Sequence, residues 1–143
     1  MEIKSPTLTL GGSPPYFRCG LILTGGAKLI PAAGLKTRIF FDSPANCPGL
    51  NGANQLTING GTTVEPDSAN GPGFYFLGSP SGTPASKIYF GNGAATAQMV
   101  IYAPSSNVEI AGGINLNGTV LGRNIKINGG ANINPLHEYT PPP

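Results

Sequence analysis

The chain has 143 residues, with eight Lys or Arg, six Asp or Glu and one His, for a formal charge of +2. The basic residues are scattered singly, which argues against a nucleic-acid-binding stripe, and no apolar run reaches the length of a membrane span. Twenty-two Gly, fifteen Pro and only 10% charged residues predict a turn-rich chain almost without helix.

Leu8-Thr-Leu-Gly-Gly12 opens the chain as a half-coil. Leu21-Ile-Leu-Thr-Gly-Gly-Ala-Lys-Leu29 follows as the first full copy of a nine-residue pattern: aliphatic, any, aliphatic, small polar or Ala, Gly-Gly, any, any, aliphatic. Thr37–Phe41 reads as a strand, then residues 43–54 as a protruding loop. The second copy, Leu56–Val64, leads into a loop at 65–73 and a short aromatic strand at Phe74–Leu77. A third loop at 78–87 precedes Ile88-Tyr-Phe-Gly-Asn-Gly93, a degraded corner, and the strand Met99–Tyr102. The third copy is Val108–Leu116; after Thr119–Leu121 comes the fourth, Ile125–Ile133.

Alternation along a strand puts Leu21 and Leu23, or Val108 and Ile110, on one side. Gly-Gly then lets the backbone bend without a strained Cβ, and the aliphatic three residues later returns inward. The copies start 35, 52 and 17 residues apart, close to multiples of about 17. So short a period cannot hold a crossover helix. The expected fold is all-β: a single-stranded β-solenoid, or right-handed parallel β-helix, of roughly seven short coils. One domain spans 1–140 and residues 141–143 form a Pro tail. A β-sandwich with glycine-rich turns is the competing architecture. In the solenoid, Leu23, Ile58, Ile110 and Ile127 form one buried stack, while Asn59, Asn115, Asn128 and Asn132 exchange amide hydrogen bonds between coils.

Cys47 sits in a Pro-flanked loop after the strand that Cys19 enters, so a disulfide is expected, with two unrelated buried thiols as the alternative. A bridge would place the chain in an oxidising compartment. Residues 1–4 carry no signal-peptide pattern, which leaves a cytosolic protein or a piece of a longer exported one. The acids are too few and too dispersed for a general acid/base pair, and the lone His137 lies in the tail. No metal-ligand spacing is present, so neither cofactor nor enzyme activity is expected. Asn117-Gly-Thr119 is a glycosylation-type triplet of low specificity.

Cys19-Gly-Leu-Ile-Leu-Thr-Gly-Gly-Ala, Phe41-Asp-Ser-Pro-Ala-Asn-Cys-Pro48, Gln55-Leu-Thr-Ile and Val100-Ile-Tyr-Ala-Pro104, followed by the closing Gly-Gly corners, resemble the C-terminal domain of bacterial PilX-like type IV pilus-assembly proteins. The resemblance runs from about Thr7 to Ala131 and implies an extracellular, non-enzymatic pilus or cell-surface role with protein partners. The ending Asn134-Pro-Leu-His-Glu-Tyr139 departs from the family pattern. On this reading the loops carry partner contacts through Asp42, Asn46, Asn51, Glu65 and Asp67. Two other functions compete: a filament subunit associating end to end through open strand edges, and a carbohydrate-binding β-helix using Tyr16, Tyr75, Tyr89 or Tyr102 as sugar platforms.

Overall fold

The computed structural model describes residues 2–4, 6–11, 16–17, 19–31, 37–50, 53–65, 73–76, 87–91, 93 and 96–135. Among these residues thirteen strands form one sheet: β1 Glu2–Lys4, β2 Thr7–Thr9, β3 Tyr16–Phe17, β4 Leu21–Thr24, β5 Lys28–Ile30, β6 Arg38–Phe41 and β7 Leu56–Asn59, then β8 Thr63–Val64, β9 Gly73–Phe76, β10 Lys87–Gly91, β11 Thr96–Ile110, β12 Asn115–Ile127 and β13 Asn132–Asn134. Every pairing described between them is parallel. The fold is all-β. Among the described residues, the helical structure is two short 3-10 turns, Pro44–Asn46 and Pro48–Leu50.

The parallel sheet is curled, and its strands line up in three columns. The first runs β1, β4, β7, β10, the end of β11 and the end of β12. The second runs β2, β5, β8, the start of β11, the start of β12 and β13. The third runs β3, β6, β9 and the middles of β11 and β12. Gly-Gly pairs at 25–26, 60–61, 112–113 and 129–130 turn the chain from first column to second, with both glycines at positive φ (65° and 77° at Gly60 and Gly61). The pairs stack: the Gly26 N–H donates to the Gly60 carbonyl at 2.7 Å.

The core is a set of ladders on the inner face. Leu21, Leu56, Ile88 and Val108 form one rung series of the first column; Leu23, Ile58, Phe90 and Ile110 form the next, all fully buried or nearly so. Leu29, Val64, Ala97 and Leu116, each three residues past its corner or at the matching position, do the same in the second column. In the third, Ile39, Phe74 and Ile101 are stacked, with Phe41 and Phe74 ring centroids 6.3 Å apart. Burying each Val, Leu, Ile or Phe of these ladders stabilises the fold by about 1.5–3 kcal/mol.

Ile127 corrects the expected stack. It keeps the register, pairing with Ile110, yet it is 51% exposed where Leu23, Ile58 and Ile110 are at 0%. It stands on the last strand of the first column, with no described strand beyond it, so only one side of the ladder covers it. Ile125, which pairs with the buried Val108, is exposed for the same reason, whereas Leu121 pairs with Tyr102 on the outward side of the strands. A second difference is strand length. Met99–Tyr102 and Val108–Ile110 belong to one 15-residue strand, β11, bent by a register shift between Ala103 and Asn107. Here no loop separates the third column from the first, so hydrogen bonding continues around the corner.

Candidate functional site

The first loop is built around Asp42. Its Oδ1 accepts from the Ser43 N–H at 2.7 Å and from Asn46 Nδ2 at 2.8 Å, while its carbonyl accepts from Gln55 Nε2 at 2.6 Å. Ser43 caps the first 3-10 turn by accepting from the Ala45 N–H. Asp42 and Asn46 are therefore engaged in shaping the loop, the ordinary work of Asp and Asn at turns. A disulfide joins Cys19 to Cys47, with 5.3 Å between the Cα atoms, and ties the loop to the start of β4. Glu65 forms an ion pair with Lys28, on the neighbouring strand of the second column. Asn51 and Asp67 lie outside the described residues, as do 66–72, 78–86, the tail with His137, and the side chains of Tyr16 and Tyr75.

Closing a 28-residue separation contributes about 3.5 kcal/mol on the chain-entropy model. Reduction is expected to lower the melting temperature while leaving the β-rich circular dichroism spectrum in place, because β7 to β13 lie outside the closed loop. A melt unchanged by reductant would overturn this.

A different site lies on the outer face of the first column. Lys87 and Tyr89 of β10, Asn107 and Glu109 of β11, and Asn124 and Lys126 of β12 line a groove of about 530 Å³. The register aligns Lys87 with Asn107 and Asn124, and Tyr89 with Glu109 and Lys126. Asn124 Nδ2 donates to Asn107 Oδ1 at 2.8 Å; Glu109 Oε1 accepts from Lys126 Nζ at 3.2 Å and from Asn128 Nδ2 at 3.1 Å. The same rung-to-rung amide bonding joins Asn132 to Asn115 and Asn134 to Asn117. Amide bonding from strand to strand thus holds for Asn115 and Asn132, whereas Asn128 turns to Glu109.

The model of a family described as a domain of unknown function, DUF7305, matches residues 50–139, well over half the chain. The chain belongs to the DUF7305 family. No curated protein and no solved structure matches it. The DUF7305 segment begins just before β7 and takes in all six groove residues; both cysteines lie outside it.

Apart from Tyr89, the sequence reading missed the groove of this DUF7305 domain. Tyr89, Glu109 and Lys126 hold the position that the repeat pattern leaves as "any", and Lys87, Asn107 and Asn124 stand just before its first aliphatic, all on the outward side of the alternation. The available signal was that Lys87/Tyr89, Asn107/Glu109 and Asn124/Lys126 occupy equivalent positions of successive copies. Among the described residues no group of three or more His, Cys, Asp or Glu could hold a metal ion.

Proposed function

We propose that this chain is a non-enzymatic β-solenoid domain of an exported, type IV pilus-associated or cell-surface protein, presenting a binding surface on a rigid rod. The observation that carries the reading is the Cys19–Cys47 disulfide, which fastens a polar loop to the strand columns. Such bonds persist in oxidising environments outside the cytosol. The three parallel columns, visited in the same order on each pass, support a solenoid, and the six strands of the first column correspond to six turns. Parallel crossovers favour a right-handed winding. Each turn pairs with the one before along its strands, so the rod holds the outer-face residues of those strands in fixed relation. The resemblance to PilX-like pilus-assembly domains supports the pilus setting.

Antibodies against the chain should label intact producing cells, and the protein should co-purify with sheared pili. Shortening loop 43–54 outside Cys47 should reduce that association while leaving the β-rich spectrum intact. Labelling only after cell lysis would refute the surface assignment. Unchanged association after the deletion would move the contact surface away from this loop.

A further inference from the structure

We infer that the groove on the outer face of the first column is a saccharide site, with Tyr89 as stacking platform and a preference for sugars that carry a carboxylate. The inference names a ligand class for the surface domain proposed above and rests on that reading for its biological setting.

The geometry of Tyr89 comes first. A Cβ placed on Gly91 would lie 2.2 Å from the Tyr89 Oη and 2.4 Å from Cζ. The phenol therefore lies down along its own strand, over a residue that has no side chain to lift it. Residues two apart on a strand share a face, so Gly91 is the position that decides whether the ring stands or lies. With one face against the backbone, the half-buried ring turns the other towards the groove. A flat aromatic face with its negative quadrupole attracts the C–H face of a pyranose ring.

The surrounding groups fit hydroxyls and a carboxylate. The bond between Asn124 and Asn107 uses one amide hydrogen of the first and one oxygen of the second. That leaves the Asn107 NH₂ as donor and the Asn124 Oδ1 as acceptor, the pairing that a sugar hydroxyl needs. Glu109 is committed to Lys126 and Asn128 through Oε1, so the three hold one another in place. Lys87 is exposed, stands beside Asn107 in register, and among the described residues is the cation of the groove outside that ion pair. A carboxylate met by its ammonium gains a charge-assisted hydrogen bond. Three successive strands of a rigid column supply the contacts over about 10 Å, so little ordering is required on binding.

The test is calorimetric titration of the full 143-residue chain with tetragalacturonate and, separately, with cellotetraose. Binding of tetragalacturonate is expected, about tenfold weaker in Tyr89→Ala and retained in Tyr89→Phe. Lys87→Gln should remove the preference over cellotetraose. Gly91→Ala should weaken binding with Tyr89 still present, a result that loss of the phenol alone cannot mimic. Circular dichroism checks that each variant keeps the wild-type spectrum. No binding of either sugar at millimolar concentration, or tetragalacturonate binding unchanged in Tyr89→Ala, would overturn the site. Equal affinity for the two sugars in the wild-type chain would overturn the role of Lys87. Because the titration uses purified protein, its failure is distinct from failure of the cell-labelling experiment.

Discussion

Ile110→Asp is expected to unfold the domain under conditions where the wild-type chain is stable. Ile110 is fully buried, stacked in register with Phe90 on one side and Ile127 on the other. Truncating a buried Ile costs about 2–5 kcal/mol by itself. Placing an unpaired carboxylate there adds several kcal/mol, or forces its protonation, in a core only one side chain deep. Together these approach the roughly 5–15 kcal/mol that holds a domain folded. The same substitution at Ile127, half exposed, should shift the urea midpoint only slightly. Equal effects at the two positions would contradict the ladder.

Gly118→Ala should be comparably severe for a steric reason. Gly118 pairs with Met99 across β11 and β12, and a Cβ there would fall 1.7 Å from the Met99 carbonyl oxygen and 2.8 Å from its carbon. The obstacle is backbone in the middle of a sheet, which cannot rotate away as a side chain would. The two longest strands would have to separate, at an expected cost above about 3 kcal/mol. Gly113→Ala makes the contrast, since a Cβ there meets nothing within 4 Å and only the positive φ of 74° opposes it. That penalty is about 1 kcal/mol. Urea denaturation of both variants distinguishes them, and a Gly118→Ala as mild as Gly113→Ala would refute the close approach.

Most of the all-β architecture was legible because it depends on local rules repeated in phase. Leu23, Ile58 and Ile110 face inward since each sits two residues after another aliphatic and two before a Gly-Gly corner. The glycines of the four full Gly-Gly corners, all at positive φ, mark where the chain turns. Cys19 and Cys47 were legible as a pair through the awkward placement of a Cys between prolines. Ile127 was misjudged because it carries the same local pattern as Ile110. Nothing in nine residues says which copy comes last in a column.

The candidate site divides along the same line. Asp42 was noticed for its place beside a loop, but its hydrogen bonds to Ser43 and Asn46 turn it inward to hold that loop. Lys87, Asn107 and Asn124 are 20 and 17 residues apart in register and become neighbours only when three strands pair. The residue pattern alone dictates alternation, corners and therefore parallel stacking, because strand period and glycine torsions act within a few residues. Which ladder ends are covered, how Tyr89 lies over Gly91, and which polar groups share one groove were decided by the tertiary structure. Each depends on what stands one strand away, and that distance is not written in any single copy.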